Sequence, residues 1–333
     1  MTRVCPALFL QLCTTTRGDY SLCCQAQQQI ESSTDWRDWW SSKELNERRQ
    51  TMLEGKWPKE CYSCEQAEHS NRGSLRQSYL RNYPPEQLNQ AVEEWQQTGN
   101  APDPVSLDLA VGNTCNLKCV QCNAEWSSAI AAEQGVKVAR PQAPVEWYKE
   151  LPAEPLHTIK VQGGEPLLQP RLWRWLDKLQ QPEQTRFEMV TNGTRDPEQY
   201  RDIMMRFRER VIFVSVDAIE EAGEKLRIGS NWNRVQQTIE QFRSWPNTYT
   251  AIICCVYARN ISEIPALMDW AKRSNIDVIW NILTDPNHLS LNAVPPEVKT
   301  AMTRQELPDE VMQALRDSVY DPALYKKLTQ SLK

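Results

Sequence analysis

The sequence lacks the features that would place a chain in a membrane, outside the cell or on nucleic acid. No apolar run approaches the roughly 18 residues that a membrane span needs. The opening "MTRVCPALFLQLC" has one Arg and a short apolar stretch, but that stretch holds a proline and two cysteines and no small-residue cleavage site follows. Charge of one sign is also missing. Lys and Arg number 38 against 43 Asp and Glu, a net charge of −5, which offers no broad footprint for nucleic acid or anionic lipid. There is no low-complexity tract and no internal repeat beyond an alternation of strand and helix patterns. The expectation is a cytoplasmic protein with neither membrane nor nucleic acid as a partner.

What is present in excess is cysteine. Eleven occur among 333 residues, a length that buries a sizeable core without disulfide staples. The count is odd, and Cys23-Cys24 and Cys254-Cys255 are adjacent pairs, which suits no simple disulfide framework. In a reducing compartment clustered cysteines serve metal binding or redox chemistry.

Three zones divide the chain. Residues 1–104 are rich in Gln, Trp, Arg and Cys and hold six of the cysteines. Helix-like "WRDWWSSKELNERRQTMLEGK" and "PPEQLNQAVEEWQQ" flank a turn-prone "CYSCEQAEHSNRG" there. Residues 105–285 alternate six strand-like runs, "SLDLAV", "HTIKVQ", "RFEMVT", "VIFVSV", "TYTAIICCVY" and "DVIWNIL", with helical periodicities such as Leu168, Leu172, Trp175, Leu179 and Val235, Ile239, Phe242. Pro170 suits a helix start. Six strand–helix units argue for an α/β fold with a parallel sheet, too few to close an eight-stranded barrel. Residues 286–333 read as a C-terminal helical extension, with Pro295 and Pro296 at a helix start.

In parallel βα architectures the chemistry lies beyond the carboxyl ends of the strands. The unusual segments of the second zone fall there: "GNTCNLKCVQC", "GGEP", "TNGT" and "SVDA" after the first four strands. Cys115, Cys119 and Cys122 cannot close a tetrahedral zinc site without a fourth ligand. As holders of three irons of a four-iron cluster, they would leave the fourth iron open to a small molecule.

These residues resemble the radical S-adenosylmethionine superfamily, whose signature is Cys-x3-Cys-x2-Cys in the loop after the first strand of a partial (βα)6 TIM-like barrel. The resemblance covers about residues 105–285. It implies that Cys115, Cys119 and Cys122 ligate a 4Fe-4S cluster whose open iron chelates S-adenosylmethionine. Gly163, Gly164, Glu165 and Pro166 correspond to the motif that receives the cofactor's amino group, the glycines allowing close backbone approach. Asn192, Ser215 and Asp217 match positions lining its ribose and methionine side, for which strand-end capping is the bland alternative. Arg227 resembles an arginine that pairs with its carboxylate, and a solvated helix face is the alternative. The residue before the third cysteine, commonly aromatic in the superfamily, is Gln121 here, so adenine contact must come from elsewhere or be polar.

The N-terminal cysteines resemble a twitch type of auxiliary-cluster domain, related to SPASM domains and placed ahead of the barrel as in compact phage and bacterial radical enzymes. That resemblance implies Cys5, Cys23, Cys61 and Cys64 as ligands of a second 4Fe-4S cluster, with Gly18-Asp19 as a turn and Cys24 as the alternative to Cys23. Four cysteines with a Cys-x2-Cys pair equally suit zinc, with His69 as a spare ligand. Cys13, Cys254, Cys255 and most of the tryptophans read as core, and His157 and His288 as satisfied polar residues.

The implied activity is reductive cleavage of S-adenosylmethionine to a 5′-deoxyadenosyl radical that abstracts hydrogen from a substrate. A peptide or protein side chain ranks first as that substrate, although no segment resembles a leader-peptide-binding domain. A small molecule such as a nucleotide or cofactor precursor is the alternative, and a non-catalytic metal-binding interaction protein is the alternative from another class. An external electron donor such as flavodoxin or ferredoxin would be needed.

Overall fold

The structure is a computed structural model that describes residues 4–26, 35–70, 72–138 and 155–330. Its strands are β1 (Gln11–Thr14), β2 (Tyr20–Ser21), β3 (Ser106–Ala110), β4 (Lys118–Cys119), β5 (Thr158–Gln162), β6 (Arg186–Thr191), β7 (Glu209–Ser215), β8 (Arg227–Ile228), β9 (Thr248–Val256) and β10 (Val278–Ile282). Eight of them form one sheet in the order β10-β9-β7-β6-β5-β3-β1-β2. The six strands expected between residues 105 and 285 are all present and all parallel, giving the α/β partial barrel.

Alternation assigns the two faces of that sheet. Leu107, Leu109, Ile159, Val161, Phe187 and Met189 are fully or almost fully buried in one core with Trp173 and Leu176 of the helix Pro170–Leu176 and Phe242 of the helix Trp232–Arg243. Asp108, Lys160, Gln162 and Glu188 stand on the opposite face, the inner face of the open barrel. Val235, Ile239 and Phe242 form the expected buried stripe. The helix after β5 differs from expectation: it buries Leu172, Trp173 and Leu176, with Trp175 partly exposed and Leu168 and Leu179 outside it. Proline at its first position sets the start at Pro170, which shortens the helix to two turns.

The N-terminal zone departs furthest from expectation. β1 pairs in parallel with β3, Gln11 opposite Ser106 and Cys13 opposite Asp108, and so extends the barrel sheet. Gly18, at a φ of +86°, and Asp19 form the expected turn, with the Thr15 N–H donating to the Asp19 carbonyl at 2.8 Å. "CYSCEQAEHSNRG" is not a turn: Tyr62–His69 is a helix, a short polar segment supported by its neighbours rather than by any apolar stripe. One hydrophobic core runs from Val4 to Leu315, so the expected boundary at residue 104 has a shared sheet and core across it. The C-terminal zone is helical, with Pro296–Met302, Asp309–Asp317 and Pro322–Gln330. Among the described residues no helix is long and apolar enough to cross a membrane.

Candidate functional site

The loop after β3 carries Cys115, Cys119 and Cys122 and is shaped by the turn after β5. The Gly164 N–H donates to the Gly112 carbonyl and the Glu165 N–H to the Thr114 carbonyl, each at 2.8 Å. The approach leaves no room for a side chain. A Cβ on Gly163, where φ is +124°, would lie 2.8 Å from the Gly112 carbonyl oxygen, and one on Gly164 would strike the Thr114 carbonyl. Sequence reasoning assigned these glycines to close approach of a ligand; the structure uses that freedom first on the backbone of the cysteine loop.

Each cysteine is fixed by a different element. The Cys115 N–H donates to Ser128 Oγ at 3.1 Å, and the Leu117 N–H donates to Cys115 Sγ at 3.5 Å. Cys119 lies in β4, opposite Arg227 of β8. The Cys122 N–H donates to the Cys119 carbonyl at 3.0 Å, closing a tight turn. Burial pushes all three thiols up, and neighbouring thiols add to this at Cys119 and Cys122; Cys122 reaches about 12. Arg227 pulls against that rise at each of them. Arg227 is thus the cation that acts on all three thiols.

Glu165 is fully buried. Its carboxylate accepts from the Thr191 hydroxyl at 2.8 Å, the Leu167 N–H at 3.1 Å and the Asn192 N–H at 2.7 Å. Burial raises its carboxyl even so. It thus ties the end of β5, where Pro166 begins a helical turn, to the end of β6. Asn192 in turn places its Nδ2 3.1 Å from Asn116 Oδ1 and 3.9 Å from Cys115 Sγ.

Asp217 is also fully buried, and its carboxylate gathers the site. Oδ2 accepts from Arg227 Nη1 at 2.7 Å and Gln121 Nε2 at 2.6 Å, while Oδ1 accepts from the Cys255 N–H at 3.0 Å. Burial opposes the charge of Arg227, but Cys119 and Asp217 outweigh it and hold the guanidinium firmly protonated. Its Nε is buried with no hydrogen-bond partner in the protein. Ser215 ends β7, in register with Ile253. Of the expected cofactor residues, Glu165 and Asp217 thus spend their carboxylates on the fold, and Arg227 keeps one donor uncommitted.

Sequence reasoning did not single out Tyr257 or Asn260. The Tyr257 hydroxyl donates to Gln121 Oε1 at 3.3 Å, and Asn260 Nδ2 donates to the Asp217 carbonyl at 2.9 Å and the Cys255 carbonyl at 2.7 Å. The signal that could have found them is their place just beyond β9, a fifth strand end. Cys254 and Cys255 divide as strand alternation requires: Cys254 is fully buried, whereas Cys255 stays partly exposed beside Asp217.

The structure brings Cys5, Cys23, Cys61 and Cys64 to the lining of one pocket. Burial is the main cause of the raised thiols there, with Cys5 reaching about 12. His69 is exposed at the end of its helix and is not among the lining residues, which removes it as the spare ligand. Arg17, in the β1–β2 turn, pairs with Glu125 of the cysteine loop at 2.8 Å, so the N-terminal hairpin touches that loop. Among the described residues no three His, Cys, Asp or Glu side chains are set to hold a metal ion, in either group.

Three properties of this site fit an iron-sulfur cluster with an anionic ligand. The donor set is all thiol, the ligand type that holds four-iron clusters. The Gly163–Gly164 turn packs on the loop with no side chain between them and braces it, and Arg227 Nε is a buried donor without a partner.

Residues 109–271 match the sequence profile of the Radical SAM superfamily. The chain is 24% identical to a "Probable GTP 3',8-cyclase" of Methanococcus maripaludis (strain C5) over 61% of its own length and 68% of the relative's. It is 33% identical to a protein of that name in Archaeoglobus fulgidus over 40% and 42% of the two chains. A "GTP 3',8-cyclase" of Caulobacter vibrioides is 27% identical over 61% of each. Among solved structures, anSMEcpe with bound AdoMet superposes at a TM-score of 0.43, with 19% identity over 61% of this chain and 57% of that one. Streptococcus suis SuiB bound to S-adenosylmethionine superposes at 0.44, with 16% identity over 67% and 51%. The chain thus spans between 42% and 68% of the length of these curated relatives and less than two thirds of these structures.

Proposed function

Because the chain belongs to the radical SAM superfamily through residues 109–271, an iron-sulfur enzyme class, we propose that Cys115, Cys119 and Cys122 hold its 4Fe-4S cluster and that its substrate is a small molecule of nucleotide kind. When bound, cluster and S-adenosylmethionine together supply a 5′-deoxyadenosyl radical that takes a hydrogen atom from the substrate.

The observation that carries this reading is the loop of three cysteines braced on the Gly163–Gly164 turn with Arg227 beside Cys119. The unpartnered Nε of Arg227 would receive the cofactor's carboxylate. Asp217 orients that guanidinium and Gln121 from a single carboxylate. Gly163, Gly164 and Pro166 would present backbone to the cofactor's amino group, while Glu165 fixes the turn. Asn192, tied to the loop at Asn116, and Ser215 would line the ribose and methionine side. The polar Gln121–Tyr257 pair would serve the adenine in place of an aromatic residue beside the third cysteine.

The substrate reading rests on the relatives named GTP 3',8-cyclase, which favour the small-molecule alternative over the peptide or protein side chain ranked first in the sequence. In the N-terminal pocket, Cys5, Cys23, Cys61 and Cys64 would hold a second 4Fe-4S cluster, with zinc as the alternative. An external one-electron donor such as flavodoxin or ferredoxin would complete the cycle.

The test is anaerobic reconstitution followed by a strong reductant and S-adenosylmethionine, with 5′-deoxyadenosine quantified against a Cys119→Ala control. Release by the wild type that rises with GTP supports both parts. Release unaffected by GTP but raised by a peptide pool sinks the substrate reading, and release no greater than that of the control sinks the radical reading.

A further inference from the structure

Cys23 and Cys24 are neighbours in sequence, yet their thiols enter different surroundings. Cys23 lines the N-terminal pocket with Cys5, Cys61 and Cys64, and Cys24 is not among its lining residues. The Cys24 thiol instead accepts from Lys160 Nζ at 3.6 Å. The same ammonium donates to Asp108 Oδ2 at 2.9 Å, and Asp108 Oδ1 accepts from Gln162 Nε2 at 2.6 Å.

These groups lie on the inner face of the barrel. Asp108 and Lys160 are opposite one another across β3 and β5, and Glu188 follows opposite Lys160 on β6. Gln162 immediately precedes Gly163, so the polar row starts at the turn that braces the cysteine loop. It ends at Cys24, one peptide unit from the pocket.

Such a row is costly to a fold. The Lys160 and Asp108 side chains are only 18% and 0% exposed, and an ion pair this buried is often no better for stability than an apolar pair of similar volume. An apolar ligand laid on it would strand polar groups away from water. A ligand that presents its own donors and acceptors, such as an amide, a hydroxyl or a nucleobase edge, would meet the N–H of Lys160 and the Oε1 of Gln162 that these bonds leave over.

We propose that Cys23 alone of the pair completes the four-thiol pocket, and that Cys24, Lys160, Asp108 and Gln162 form the wall of the substrate chamber, which takes a polar, hydrogen-bonding small molecule. This rests on the reading of the pocket as a metal site given above. It places the pocket and the chamber on either side of the Cys23–Cys24 peptide.

The ligand assignment is tested in a full-length Cys115→Ala/Cys119→Ala/Cys122→Ala parent, where all metal reports on the pocket. Adding Cys23→Ala is expected to strip the iron or zinc bound after anaerobic reconstitution, and adding Cys24→Ala to leave it in place. Metal lost with Cys24→Ala in a folded protein, or kept with Cys23→Ala, overturns the assignment. A parent that binds no metal overturns the pocket reading and the assignment with it, whereas 5′-deoxyadenosine release by the wild type is unaffected by either result. Should Cys24→Ala fail to fold, Cys24→Ser in the same parent decides: the metal is expected to be retained, and metal lost from the folded variant overturns the assignment.

The chamber is tested with GTP as the probe by equilibrium dialysis. The double variant Asp108→Leu/Lys160→Met removes both charges together and strands neither, and it is expected to bind at least about tenfold more weakly than wild type. Equal binding, or no binding by the wild type, overturns the chamber assignment.

Discussion

Replacing Asp217 by Asn keeps the size of the side chain and removes its charge. The carboxylate accepts from Arg227, Gln121 and the Cys255 N–H at once. An amide has one acceptor oxygen, so its NH2 must face at least one of these donors. Solvent cannot repair the loss, because the Arg227 and Asp217 side chains are only 13% and 1% exposed. A hydrogen bond to a charged group contributes about 1.5–3 kcal/mol, and breaking a buried pair from one side costs about 3–5 kcal/mol because the other charge is left stranded. Urea denaturation of the metal-free Asp217→Asn protein should therefore show about 3–5 kcal/mol less stability than wild type. Asp217→Asn combined with Arg227→Met should recover most of that, since no charge is then stranded, and the cycle of four proteins reads the coupling directly. A single variant within about 1 kcal/mol of wild type, or a double variant less stable than the single, would refute the account of Asp217 as the group that holds Arg227 in place.

Three further outcomes follow from the thiols and the glycine turn. Cys13, Cys254 and Cys255 are pushed above the ordinary thiol value of 9.0 by burial, Cys255 to about 12. Folding therefore favours their protonated forms. That stability is fully present below 9.0 and is lost as the pH climbs toward 12, so the urea midpoint of the metal-free protein should fall over that window; a midpoint that holds steady or rises would contradict it. Metal loading should run the other way. The raised thiols of Cys115, Cys119 and Cys122 must shed protons to bind, so iron retention against a chelator should improve with pH. Gly164→Ala pushes a methyl group into the Thr114 carbonyl and should cost about 1–3 kcal/mol. Iron should drop at the cysteine loop while metal in the N-terminal pocket remains, and equal loss at both would assign the effect to general unfolding.

The barrel was legible because its strands carry the pattern that burial imposes. The β5 and β6 runs alternate between buried and partly exposed positions, and the chemistry-bearing segments stand at strand ends. β1 was not legible. It is only four residues long and follows directly on the helical turn Ala7–Leu10, and its partner lies far along the chain. Cys115, Cys119 and Cys122 could be read from spacing alone, but the Asp217–Arg227 contact could not, since it depends on β8 folding back against β4. Glu165 was assigned to a ligand because a motif names residues, not the direction of a carboxylate. The division between Cys23 and Cys24 was equally hidden: two adjacent thiols are interchangeable in a sequence and separate only when Lys160 stands beside one of them.

The parallel pairing of β1 with β3 orders events during synthesis. Cys5, Cys13, Cys23 and Cys24 leave the ribosome well before Ser106–Ala110, the segment against which β1 must lie. Until then only the β1–β2 hairpin is available, and a two-stranded hairpin is marginal on its own. Closing so long a loop is slow more than it is costly, so β1 waits for its sheet partner through that interval. The dependence is mutual. A chain begun at residue 105 would present the buried β3 as a raw sheet edge, open to pairing with other copies. Every residue that lines the pocket of thiols lies between Cys5 and Tyr79, so the pocket is complete in sequence before the strand that fixes β1 in the sheet has been made.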